Sequence, residues 1–249
     1  MLKVRSTTDA WGRPAALVVI IATLAAVAAV PMIACGPRAE APGSPETPPQ
    51  PEVLSLTPSG FPMPGVHELI LAWKPMSEID RFVLCETIPP HGTDCEEHRG
   101  ASEATVTAAG PTDDPQAAGL WLKYLWLQSC WERECSRPPT AAGAIAHQVG
   151  DGTAASNFIA AVRRLESYQV EVTLVNASQE ASMTSTLIAR SPTGPEIARC
   201  ESVAPGEWCG PFRGALLSND IVAEQIYGDV VVTTSFAVLP STTAPEPNP

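Results

Sequence analysis

Leu120-Trp121-Leu122-Lys123-Tyr124-Leu125-Trp126-Leu127-Gln128-Ser129-Cys130 is the stretch on which the fold turns. Aromatic and apolar residues dominate it, and it reads as one long strand ending at a cysteine. Side chains alternate across a strand, so it presents two sets. Trp121, Lys123, Leu125 and Leu127 form one, and Leu120, Leu122, Tyr124 and Trp126 the other. Both are largely apolar. A strand on a one-sided sheet alternates apolar with polar, so this one requires a cover on each face. Two covers fit. Either a second domain or a loop packs on the outer face, or Trp121, Tyr124 and Trp126 form a surface that a ligand or partner occupies.

The cysteines frame that strand. Cys35 stands alone near the start of the chain, and the other six fall into local couples: Cys85 and Cys95, Cys130 and Cys135, Cys200 and Cys209. Turn residues lie inside the couples, with Pro89, Pro90, His91 and Gly92 in the first and Pro205 and Gly206 in the last. In an exported chain an even count reads as three disulfides. Fifteen connectivities exist, and hairpin geometry favours the sequential one. Each short loop closed this way contributes roughly 2 to 3 kcal/mol, less any strain. A zinc site at Cys130 and Cys135 does not match the usual ligand spacing, and no metal site is expected.

Upstream, Leu69-Ile70-Leu71-Ala72-Trp73-Lys74-Pro75 reads as a strand ending at proline. Arg81-Phe82-Val83-Leu84-Cys85 and Ala104-Thr105-Val106-Thr107 are two more. Trp73 before Pro75, the Phe82-Val83-Leu84 strand, and Leu125 to Cys130 followed by Cys135-Ser136 together resemble a fibronectin type III module. The resemblance covers residues 64–139. It implies a β-sandwich domain over 64–140, with the Cys130 and Cys135 turn between its last two strands.

Ala141 to Thr153 is rich in alanine and glycine, carries His147, and reads as a hinge within a linker over 141–156. Beyond it, Phe158 to Arg163 fits a strand or a short helical stripe, and the β character of its neighbours favours the strand. Gln169 to Val175, Met183 to Ala189, Glu196 to Val203 and Asp229 to Leu239 read as strands separated by polar turns. Spacing of this kind argues for a second β-sandwich over 157–240. Thr173-Leu174-Val175-Asn176 and Val203-Ala204-Pro205-Gly206 resemble segments of small immunoglobulin-like modules of bacterial envelope proteins. Asn176-Ala177-Ser178 matches a glycosylation sequon and reads as a turn asparagine. The expected fold is therefore all-β: two immunoglobulin-like or fibronectin type III-like sandwiches, preceded by a helical leader.

That leader has ordered parts. Lys3, Arg5 and Arg13 are basic, Ala15 to Val30 is apolar apart from Thr23, and Pro31 breaks the helix. Met32-Ile33-Ala34-Cys35 then resembles the lipobox of bacterial lipoproteins. The resemblance implies a signal peptide over 1–34, lipidation of Cys35, and an anchored protein facing periplasm or exterior from the cell membrane or outer membrane. Alternatively Ala15 to Cys35 is retained as a membrane span. Either reading exports the remainder. Residues 35–63 form a proline-rich tether; the nine prolines from Gly36 to Pro64 favour an extended polyproline II spacer. Residues 241–249 read as a frayed tail.

The formal charge is −12, and removal of the leader leaves 12 basic and 26 acidic residues. Such a balance disfavours nucleic acid and anionic lipid head groups, both of which require cationic surface. Catalytic patterns are sparse. His67-Glu68 opens like a zincin motif, but Leu71 stands where the second histidine belongs. Nucleophile elbows, phosphate loops and dinucleotide fingerprints do not occur. Glu96-Glu97-His98 could hold a cation but reads more simply as a charged hairpin exit, and Asp113-Asp114 as a solvated loop pair. No cofactor and no catalytic residue is expected. The sequence thus points to a non-catalytic, membrane-tethered envelope lipoprotein that binds or positions a partner protein or surface polysaccharide. The alternative is a hydrolase, or an accessory subunit of one, whose carboxylates meet only in space.

Overall fold

Leu125 and Leu127 point into one hydrophobic core, while Leu120 and Leu122, on the opposite face of the same strand, pack against another. The computed structural model that shows this describes residues 47–59, 68–108, 118–150, 157–165, 168–179 and 182–239. The leader, Cys35, His67, Asp113-Asp114 and the tail 241–249 lie outside the described residues.

Fifteen strands and no helix are found among the described residues. The first sandwich pairs a sheet of β1 (Val53–Pro58), β2 (Glu68–Trp73) and β5 (Glu103–Thr107) with β4 (Gly92–His98), β3 (Arg81–Ile88), β6 (Gly119–Trp131) and β8 (Thr140–Val149). A two-residue strand β7 (Glu134–Cys135) folds back on β6. The second sandwich repeats the plan. β9 (Phe158–Arg164), β10 (Gln169–Asn176) and β13 (Trp208–Ala215) face β12 (Glu196–Val203), β11 (Ser185–Arg190), β14 (Asp220–Tyr227) and β15 (Val230–Ala237). In each, the first, second and fifth main strands oppose the rest. This three-on-four division gives two fibronectin type III-like sandwiches.

The two are not beads on a hinge. β8 pairs antiparallel with β9, from Ala144 opposite Val162 to Gln148 opposite Phe158, which joins the four-stranded sheet of the first sandwich to the three-stranded sheet of the second. The result is one eight-stranded sheet, covered on one face by β1-β2-β5 and on the other by β12-β11-β14-β15. The expected linker 141–156 is therefore corrected, since most of it is strand β8. Alanine and glycine are there because the strand is buried on both faces. Ile145 belongs to the first core and Ala146 to the second. A Cβ on Gly143 would lie 2.9 Å from Leu56 Cδ2 and 3.0 Å from the Val162 carbonyl oxygen. The tether 35–63 is corrected too: Val53–Pro58 is strand β1, with Leu56 buried in the first core.

Each disulfide joins a sequential pair. Cys85–Cys95 and Cys130–Cys135 cross neighbouring strands, with Cα atoms 4.0 and 4.1 Å apart. Cys200–Cys209 differs from the hairpin geometry expected of it. It ties β12 to β13, which belong to opposite sheets of the second sandwich, across a Cα separation of 6.5 Å.

Candidate functional site

Of the two covers that fit β6, a packed domain or loop and a ligand surface, the fold supplies the first over most of the strand. Tyr124 is 5% and Trp126 8% exposed. Trp126 packs among Val83 and the cysteines of two disulfides, Cys85 opposite it on β3 and Cys130 further along β6. Trp121 is half-buried, with its ring 6.4 Å from that of His91. Tyr124 and Trp126 are thereby corrected as members of an open aromatic surface, while Trp121, on the opposite alternating set, stays half-buried. The apolar cover is internal: the second core takes Leu120 and Leu122, and the first disulfide shields Trp126.

Tyr124 carries a consequence of that burial. Loss of hydration, and secondarily the negative charge of Asp220 at the start of β14, raise its phenol pKa above the ordinary value. The folded protein keeps the phenolic proton where the unfolded chain has begun to release it. This contribution to stability is fully present below the usual tyrosine pKa of about 10 and is lost as pH rises through the higher folded value. Tyr124→Phe is expected to reduce the fall in urea midpoint between neutral and strongly alkaline pH.

Charged side chains of the interior are paired. Lys123 Nζ donates to Glu86 Oε2 at 2.6 Å on the inner face of the first sandwich. A cleft of about 120 Å³ beside them, between β3, β4 and β5, is lined by Leu84, Glu86, Asp94, Cys95, Glu96 and Thr105. It is smaller than the 300 to 1,000 Å³ usual for small-molecule sites. Glu96, Glu97 and His98 do not converge on a cation. Glu97 turns to Arg81 and Arg99, whereas the ring of His98 lies 5.8 Å from that of Trp73. Among the described residues no group of three histidine, cysteine or carboxylate side chains is placed to hold a metal ion.

Apolar exposure concentrates elsewhere. Tyr168, between β9 and β10, is 69% exposed, and Leu217, between β13 and β14, is 65% exposed. The Leu216 amide donates to the Tyr168 carbonyl at 2.7 Å and holds the two connections side by side. Arg164 Nη1 and Asn219 Oδ1, 3.4 Å apart, border them. Large apolar side chains on a loop end are candidates for contact with another molecule. The signal in the sequence was Leu216-Leu217, an apolar pair set directly before Ser218-Asn219.

The sequon is closed. Asn176 is fully buried, and its Nδ2 donates to the carbonyls of Met183 at 2.8 Å and Val203 at 2.9 Å. With both amide hydrogens engaged it is a structural residue at the end of β10.

No family model matches this chain, and no curated protein does. Among solved structures it is similar to the FN1-FN3 domains of chicken CNTN1, at 9% identity over 77% of this chain and 66% of that one, TM-score 0.31. The chain spans about two thirds of the length of that structure. It is also similar to the central fibronectin-III array of RIM-binding protein, at 12% identity over 80% and 72%, TM-score 0.23. A third likeness is to the chicken interferon gamma receptor alpha chain, at 11% identity over 76% and 98%, TM-score 0.26.

Proposed function

We propose that this chain is a non-catalytic envelope lipoprotein, anchored through Cys35, that holds a rigid pair of sandwiches away from the membrane and binds or positions a partner protein or surface polymer. The observation that carries this reading is the β8–β9 pairing. It fixes the exposed Tyr168 and Leu217 relative to the first sandwich, which suits a module that positions a partner. Export is supported by three disulfides, because such bonds persist in oxidising compartments. No helix among the described residues is long and apolar enough to cross a membrane, and the leader lies outside them.

Fractionation of cells expressing the full chain and its Cys35→Ala variant tests the proposal. The unaltered chain should be acylated and sediment with membranes, with the other six cysteines unreactive to alkylation until reduced. The variant should lose the acyl group. A photo-cross-linker placed at Tyr168 should then capture an envelope component more efficiently than one placed on Leu54, another exposed side chain. Recovery in the cytosol with six free thiols, or equal capture from both positions, refutes it.

A further inference from the structure

We propose that β15 is a self-association edge, on which a second copy of this chain adds its own β15 antiparallel across a two-fold axis. An unpaired strand edge is a template for another strand, and proteins normally protect it with charge, proline, bulges or brevity. Among the described residues the other edges carry such devices. β4 bears Asp94, Glu96 and Glu97; β13 contains Pro211 and breaks register against β10. β12 holds Glu196, Arg199 and Glu201, breaks register against β11, and is tied to β13 by Cys200–Cys209. β5 is only five residues long, and the Val53 carbonyl of β1 is capped by Arg163.

β15 has none of these. Its eight residues, Val-Val-Val-Thr-Thr-Ser-Phe-Ala, contain no charge and no proline, and they pair with β14 in unbroken register from Val230 to Ala237. Tyr227 opposes Val230 across the two-residue turn Gly228-Asp229, and the Val238 amide donates to the Asn219 carbonyl at 2.8 Å. Antiparallel pairing therefore directs the backbone of the even-numbered residues toward β14. Val231, Thr233 and Ser235 turn their N–H and C=O groups to the open side, and Val231 is 57% exposed.

Two observations select the occupant. β8, the corresponding last strand of the first sandwich, already carries an added antiparallel strand, β9, so this edge type accepts strand addition within the same molecule. Residues 230–239 hold no charged side chain in a protein of formal charge −12, so two copies can meet there without opposing carboxylates. The product is a continuous eight-stranded sheet with closed two-fold symmetry. This inference does not depend on where the protein resides.

Sedimentation equilibrium of the full chain in density-matched neutral detergent, across the micromolar range, provides the test. The unaltered chain should reach a dimer. Thr233→Pro deletes an amide on the open side only, and Thr233→Lys places like charges near one another. Each should weaken dimerisation roughly ten-fold or more. Urea midpoints establish that the variants are folded; should the proline variant fail to fold, the lysine variant decides. A monomeric unaltered chain, or a folded variant that dimerises as before, overturns the proposal.

Discussion

Glu171→Ala is expected to destabilise the protein by about 3 to 5 kcal/mol, the cost of leaving a buried guanidinium without its counter-charge. Glu171 lies on β10 and is nearly buried. Its Oε1 accepts from Arg163 Nε at 3.1 Å and Nη2 at 2.9 Å, and its Oε2 accepts from Arg213 Nε at 3.0 Å. Arg163 is buried as well, and its Nη1 donates to the Val53 carbonyl at 2.7 Å. One carboxylate thus joins β9, β10 and β13, and through Arg163 reaches β1 of the other sandwich. Removing it strands Arg163, whereas Arg213 can turn to solvent. The double variant Arg163→Met with Glu171→Leu should recover most of the loss, because apolar side chains of similar size remove both charges together. Urea unfolding of the two variants beside the unaltered chain checks this, and a double variant no better than Glu171→Ala would show that packing dominates.

Asn176→Asp is expected to cost about 3 to 4 kcal/mol although it replaces only an amide NH2 with oxygen. The side chain ties the end of β10 to two other segments. Nδ2 serves the Met183 and Val203 carbonyls, and Oδ1 accepts from the Ser178 amide at 3.1 Å and from Gln225 Nε2 at 3.3 Å. The backbone of the same residue joins in. Its amide donates to the Glu207 carbonyl at 3.0 Å, and its carbonyl accepts from the Gly206 amide at 2.7 Å. Aspartate keeps the acceptors, loses both donors, and faces two buried carbonyls with a carboxylate. A drop in urea midpoint at neutral pH that shrinks on acidification, as the new carboxyl is protonated, would identify charge burial as the main part of the cost.

Strands were legible wherever apolar residues kept a period of two or ran on unbroken: β2, β3, β6, β9, β10 and β15 all show it. Trp208–Ala215 and Asp220–Tyr227 do not read as strands from their residues alone. Gly210 and Pro211 interrupt the first, and the second is apolar on adjacent positions Ile221, Val222 and Ala223, which hides its alternation. Thr173 to Asn176 and Val203 to Gly206 stood out as separate motifs, and their meeting at Asn176 belongs to the fold alone.

By itself the sequence determined the all-β class and favoured the local pairing of cysteines, because side-chain alternation and short loop closure are written within a few neighbouring residues. It also showed that Leu120 to Cys130 must be covered on both faces. Only the tertiary structure decided what the cover is and that Ala141 to Val149 is a strand within a shared sheet. The reason is one of space. Small side chains look like flexibility when read along the chain, but between two packed sheets they are what lets the backbones approach, and that distance is set by residues far away in sequence, such as Leu56 against Gly143.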